Sequence, residues 1–323
     1  MASSQAEVIQ YLVDTRTLWP NVRKTDGLKD DAEASRALDL LSAEEQKKVT
    51  KYLFVADAKM ALASQLLKRW VVSKYAGVPW DEVTISAGLN GKPIYVTPDG
   101  NNKQPVVFNV SHQAGLVALA AVVDHSSSGE GNVDVGVDIV CVSERQARDR
   151  EMIRKEGWAH FVDMHAEVFG RSEAGYLKNG LADRLNGLRT EEARTAYRLR
   201  AFYTLWCLRE AYVKMTGEAL LAPWLGDLIF DGFEPPEPGT AFEQREEEDD
   251  DENKEVIRTH NVVFKGKRVD DANICLRSLG PDYMTCTAVR TPSRKEDALG
   301  WKLGPFKFIT VDEIVEHATT ATY

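Results

Sequence analysis

One pattern occurs twice in this sequence and narrows the folds open to it. A long stretch of helical periodicity sits among several short apolar runs, once in each half. In the first half, Val49, Leu53, Ala56, Met60, Ala63, Leu67 and Trp70 fall at three- and four-residue steps. Ser42-Ala43-Glu44-Glu45 has the form of a capping box opening that helix, and Gly77 and Pro79 close it. In the second half, apolar residues between Phe202 and Val213 recur at helical spacing. Glu191 and Glu192 suit the start of that helix, and Gly217 its end. Strand signals flank the first helix at residues 8–13, 83–85, 106–110 and 116–123. They flank the second at 133–140, 256–264, 274–279, 283–289 and 306–311. The mostly apolar run 116–123 suits a strand buried on both faces. The pattern predicts an α+β fold of two similar subdomains, residues 1–128 and 129–323, joined through the Ser/Gly-rich residues 124–132.

Charge says little about partners. The net charge is −10, but residues 243–255 hold nine acids against two bases, so the rest of the chain is close to neutral. That run reads as a solvated, disordered insertion, with an acidic docking segment as the alternative. No nucleic-acid partner is expected. No apolar run is long enough for a membrane span, and residues 1–11 lack the basic and apolar regions of a secretory signal. Cys141, Cys207, Cys275 and Cys286 are scattered, which argues against a zinc site or disulfide framework and suits a reducing cytoplasm.

Several residues could carry chemistry. Helical spacing places Trp206, Glu210 and Lys214 on one face, each a turn from the next. An acid and a base so placed fit an active-site wall, and equally an ordinary surface pair. Asp138 lies near the end of an apolar strand, a costly place unless it is paired, metal-bound or solvated at the strand end. Lys47, Lys48 and Lys51 form either a basic solvent face or a phosphate site. Residues 90–93 form a turn carrying Lys92 and Pro93, and residues 111–115 read as a polar loop following a strand.

Three blocks stand in order: Phe108-Asn109-Val110-Ser111-His112, Val135-Gly136-Val137-Asp138-Ile139-Val140, and Trp206-Cys207-Leu208-Arg209-Glu210-Ala211-Tyr212-Val213-Lys214. Together with Gly91-Lys92-Pro93, they resemble the 4'-phosphopantetheinyl transferases. The likeness is to the large monomeric, surfactin-synthetase-activating type that also serves fungal lysine biosynthesis; the acidic run and the length resemble filamentous-fungal members. The resemblance implies two pseudo-twofold-related halves, each a small, mostly antiparallel sheet on a long helix, with coenzyme A in the cleft between them. It implies transfer of the phosphopantetheine arm to a serine of acyl or peptidyl carrier domains, with release of 3',5'-ADP. This is the holo-acyl-carrier-protein synthase reaction, and it depends on magnesium, with manganese as a substitute.

Residue by residue, the resemblance implies Asp138 and Glu210 as metal ligands, supplied by different halves. Glu210 is the candidate base, and Lys214 the contact to the diphosphate and the departing 3',5'-ADP. Ser111 and His112 would bond phosphate oxygens, and Asn109 would more readily hold the shape of its loop. Lys47, Lys48 or Lys51 would take the 3'-phosphate, with Lys92 and Pro93 nearby. The sequence departs from the family pattern at Val140, where a second acid is expected, so water is expected to fill that ligand position. It departs again at Arg209, which stands where the family has lysine, and at Met60, where bacterial relatives carry arginine. The alternative is a non-catalytic module that binds coenzyme A or a carrier domain.

Overall fold

The structure is a computed structural model that describes residues 6–98, 104–123, 133–218, 224–239, 256–258, 260–293 and 295–320. The first half runs β1 (Glu7–Asp14), α1 (Ala32–Asp39), α2 (Ala43–Thr50), α3 (Val55–Ala76), β2 (Ile85–Ala87), β3 (Pro93–Tyr95), β4 (Val106–Gln113) and β5 (Leu116–Val123). The second half opens with β6 (Asp134–Cys141), α4 (Gln146–Glu156), α5 (Trp158–Asp163), α6 (Arg171–Gly175), α7 (Ala182–Asn186) and α8 (Glu191–Thr216). It continues with β7 (Leu228–Asp231), β8 (Val256–Ile257), β9 (Asn261–Phe264), β10 (Lys267–Arg268), β11 (Ala272–Leu279) and β12 (Tyr283–Arg290). The chain then forms α9 (Lys295–Leu299), β13 (Lys307–Phe308) and α10 (Val311–Thr320). The fold is α+β, as expected.

The two halves share one topology. Each has an opening strand (β1, β6), a long helix (α3, α8) and a hairpin (β4–β5, β11–β12). In each, the opening strand pairs antiparallel with the second hairpin strand, giving the orders β1-β5-β4 and β6-β12-β11. Strand β5 is buried on both faces, as its composition predicts. Val117, Leu119, Ala121 and Val123 pack toward α3 in the first core. Leu116, Ala118, Ala120 and Val122 face a second apolar layer, where they meet Val135, Val137 and Ile139 of β6. The period-two alternation of a strand thus welds the halves through a shared interior.

Four expectations need correction. The helix read from Ser42 to Trp70 is two helices. Glu45 of α2 forms an ion pair with Arg69 of α3 (3.1 Å), which one straight helix forbids, since it would hold those residues about 36 Å apart. The chain therefore folds back at residues 51–54, and the capping box of Ser42 and Glu45 opens only the short α2. Residues 111–113 belong to β4, and the loop is a tight turn at Ala114 (φ 48°) and Gly115 (φ 87°). The strand read at 306–311 shrinks to two residues, and Val311 begins α10. Thr310 and Glu313 cap α10 reciprocally (2.7 and 3.1 Å), a signal present in the Thr-x-x-Glu spacing. Finally, the tail assigned to the second unit returns to the first. β13 pairs parallel with β1, and Val311, Ile314, Val315 and Ala318 join the first core. The linker at 124–132 and the acidic run at 243–255 lie outside the described residues.

Candidate active site

The site forms where edge strands β4 and β6 of the two main sheets meet. Alternate side chains of β4 bridge the gap. Asn109 Oδ1 accepts from Val137 N (3.1 Å), Ser111 Oγ donates to Asp138 Oδ1 (2.8 Å), and Gln113 Oε1 accepts from Cys141 N (3.2 Å). Asn109 is thus spent on joining the halves, and it is buried.

Helix α8 lies directly on β6. Gly136 makes this possible, because a Cβ there would stand 2.1 Å from Ala211 O and 2.3 Å from Met215 N. The helix is capped at its start by Thr190, whose Oγ1 accepts from Ala193 N (3.1 Å), and it ends at Gly217 in the left-handed conformation. The close approach brings Lys214 Nζ to 2.7 Å from Asp138 Oδ1 and 2.8 Å from Ser111 Oγ. Asp138 is 5% exposed, so its charge is paired rather than solvated. Asp138 and Glu210 therefore come from the same half, on β6 and α8. This corrects the expectation of one carboxylate from each half; the first half contributes Ser111 and His112.

Glu210, one turn before Lys214, has no hydrogen-bond or ion-pair partner among the described residues. Burial, and then repulsion from Asp138, push its carboxyl up to about 7, with Lys214 offsetting part of the rise. His112 is exposed at the mouth of the site. Loss of surrounding water, then Lys214 and Lys68, hold its imidazole below the usual range, which keeps it neutral at pH 7. Among the described residues no three His, Cys, Asp or Glu side chains gather as a metal cluster. Val140 is buried among the apolar residues of the second core.

The remaining expected residues divide. Asn90, Gly91, Lys92, Pro93, Asn109 and Lys214 line one pocket of about 190 Å³. Asn90 Nδ2 donates to Gly217 O (3.0 Å) and Lys92 Nζ to Met215 O (3.1 Å), so this turn caps the end of α8. Lys47, Lys48 and Lys51 are exposed on and just after α2, and Lys51 lies 5.7 Å from the centre of the Tyr52 ring. Trp206 is half-buried. It packs against Phe202 and helps line a cavity of about 440 Å³ beside the site.

Known proteins show what this arrangement belongs to. Over 99% of its length the chain is 42% identical to a 4'-phosphopantetheinyl transferase of Fusarium mangiferae, covering 98% of that protein. The chain belongs to the 4'-phosphopantetheinyl transferases. It is also 31% identical to a 4'-phosphopantetheinyl transferase of Emericella nidulans, across 99% of this chain and 96% of that one. A mouse L-aminoadipate-semialdehyde dehydrogenase-phosphopantetheinyl transferase is 28% identical over 60% of the chain and 53% of its own length. Residues 29–124 match the model of the 4'-phosphopantetheinyl transferase N-terminal family, and residues 134–262 that of the 4'-phosphopantetheinyl transferase superfamily. Among the described residues of this transferase, no helix is long and apolar enough to cross a membrane.

In this 4'-phosphopantetheinyl transferase, Arg209 points away from the site. It forms a fully buried ion pair with Glu173 (2.6 Å) and donates to Leu228 O (2.7 Å) and Leu225 O. Glu173 in turn accepts from Gly170 N (2.7 Å) and Phe230 N (2.8 Å). The pair anchors the segment around β7 to α8, one residue from Glu210. Neighbours in sequence project to different faces of a helix, so Arg209 faces the interior of the second half while Glu210 faces the site. Arg209→Met is expected to lower stability by about 3–5 kcal/mol in urea titration, because Glu173 is left charged and unpaired. The double variant Arg209→Met/Glu173→Leu should recover most of that loss.

Proposed function

We propose that this transferase moves the 4'-phosphopantetheine arm of coenzyme A to a serine hydroxyl of acyl and peptidyl carrier domains, releasing 3',5'-ADP. The observation that carries the reading is the convergence of Ser111 and His112 from the first half with Asp138, Glu210 and Lys214 from the second.

Asp138 and Glu210 would hold a magnesium ion, with manganese as a substitute. Two carboxylates form a donor set that magnesium accepts alongside phosphate oxygens and water, and a cation there would offset the burial and the repulsion from Asp138 that raise Glu210. When bound, the ion neutralises charge on the diphosphate. Glu210, with a carboxyl near pH 7 and no bonded partner among the described residues, takes the proton of the carrier serine. The serine oxygen bonds to the phosphorus bearing the pantetheine, and the bond from that phosphorus to 3',5'-ADP breaks. The Lys214 ammonium faces the negative charge left on the departing nucleotide. Neutral His112 donates one hydrogen bond to a phosphate oxygen.

The carrier meets a wall that is part apolar and part basic. The cavity beside Trp206 and Val140 is lined also by Gln113, Arg148, Met152 and Phe202. The name of the mouse relative supports an L-aminoadipate-semialdehyde dehydrogenase among the acceptors, beside polyketide and peptide synthetases. The four free, buried cysteines and the duplicated halves support a monomer working in the reducing cytoplasm.

Incubation with coenzyme A, magnesium and apo carrier domains from a synthase, a synthetase and a reductase should add the mass of the arm to the carrier serine. A chelator should abolish the gain, and magnesium or manganese should restore it. Coenzyme binding with no gain on any carrier would favour the binding-module reading instead.

A further inference from the structure

Lys214 leaves α8 in its last turn, so the place of its ammonium depends on where that turn is held. A helix end leaves carbonyls with no partner inside the helix. Two of these are satisfied locally: Val213 O accepts from Thr216 Oγ1 (2.8 Å) and Glu218 N (3.2 Å), and Lys214 O from Gly217 N (3.2 Å). Met215 O and Gly217 O take their donors from the other half, Lys92 Nζ (3.1 Å) and Asn90 Nδ2 (3.0 Å). Asn90 lies outside the Gly91-Lys92-Pro93 block. Its side chain is exposed, and among the described residues its one hydrogen bond is this tie across the seam.

The turn that presents Asn90 is firmly built. Asn90 is left-handed (φ 53°, ψ 25°), a conformation asparagine tolerates better than most residues, and Gly91 follows at φ 82°. Gly88 N donates to Lys92 O (2.7 Å), closing the β2–β3 hairpin. Tyr95 at the end of β3 exchanges bonds with the Gln104 amide (3.1 and 2.6 Å), two residues before β4. Strand β4 carries Ser111, which meets the Lys214 ammonium. One frame in the first half thus grips Lys214 twice, at its ammonium through Ser111 and at its helix end through Asn90. A cavity of about 190 Å³ lies between the two grips. Gly136 fixes α8 against its own half; the Asn90 turn fixes it against the other.

We propose that Asn90 is a positioning residue for arm transfer, setting Lys214 against Ser111 and Asp138 by holding the end of α8. The role in turnover rests on the transferase reading; the tie itself does not. Lys214 faces charge that develops as the bond to the nucleotide breaks, so its displacement is felt in kcat rather than in coenzyme binding.

The test uses Asn90→Gly and Asn90→Asp. Glycine keeps the left-handed turn without strain and lacks the amide. Aspartate keeps the shape but turns a carboxylate toward the negative end of the helix. With saturating carrier, kcat should fall about fivefold in Asn90→Gly, the worth of one hydrogen bond. It should fall about tenfold or more in Asn90→Asp, where repulsion is added. KM for coenzyme A should stay close to that of wild type in both, and Asn90→Gly should keep the wild-type urea midpoint. An unchanged kcat overturns the proposal, whether the midpoint drops, as for a purely structural residue, or KM rises, as for a coenzyme contact. A second measurement needs no turnover: acetic anhydride labelling of the coenzyme-free protein, read by peptide mass. Lys214 should react several times faster in Asn90→Asp than in wild type, with exposed Lys155 unchanged. Equal rates at Lys214 overturn the tie. A wild-type protein that transfers no arm would defeat the transferase reading, and the labelling would still decide whether Asn90 holds Lys214.

Discussion

Glu210→Gln should abolish arm transfer, with kcat falling by about a thousandfold or more, and yet make the metal-free protein more stable at pH 8. The first half of that result follows from removing the proton acceptor. The second follows from where the carboxyl titrates. Folding raises the Glu210 pKa from 4.5 to about 7. Below pH 4.5 the carboxyl is protonated in both folded and unfolded chains, so Glu and Gln should be nearly equivalent. As the pH rises from 4.5 to about 7, the unfolded chain ionises first, and the folded protein loses stability across that window. By about pH 8 the loss is complete, on the order of 3 kcal/mol. Urea titrations of the two proteins at pH 4.5 and pH 8 should therefore coincide at the lower pH and diverge at the higher. Magnesium should raise the pH 8 midpoint of wild type and leave Glu210→Gln unmoved. Equal midpoints at pH 8 in the absence of metal would mean that Glu210 carries no stored repulsion.

Gly136→Ala should be the most damaging of the glycine-to-alanine changes among the described residues. The added carbon would meet backbone on α8, at 2.1 Å from Ala211 O and 2.3 Å from Met215 N. Backbone atoms of a packed helix cannot turn aside as a side-chain tip can, so the helix must lift off the strand. A destabilisation of about 3 kcal/mol is expected, the upper end for overpacking. Lys214 would leave Asp138 as the helix shifts, and kcat should fall at least a hundredfold even at a temperature where the variant is fully folded. Gly91→Ala is a useful comparison because a Cβ there meets nothing within 4 Å. It should cost only the backbone strain of its positive φ. A Gly136→Ala protein with wild-type kcat and wild-type melting would show that the helix and strand are not held in contact.

Much of this was legible in the residues, for identifiable reasons. The period of the β5 run showed a strand with two apolar faces, and the caps at Thr190 and Gly217 bound α8 as Glu191, Glu192 and Gly217 suggest. Asp138, Glu210 and Lys214 were readable because they lie on regular elements whose geometry fixes where side chains go. Asp138 and Glu210 both fall after residue 129, so their shared half was readable from the boundaries alone, whereas the contact of α8 with β6 was not, because helix-on-strand packing is tertiary and only Gly136 hints at it. The break between α2 and α3 was hidden because apolar spacing continues across it.

The return of β13 and α10 to the first half has a consequence for how the protein is made. Tyr11 and Leu12 pair with Lys307 and Phe308, and His317 reaches Ser73 (3.1 Å). Residues that leave the ribosome first cannot finish their sheet or cover their helix until the closing segment has been translated. The sheet edge and helix cover of the opening half are thus completed only when the closing segment joins them.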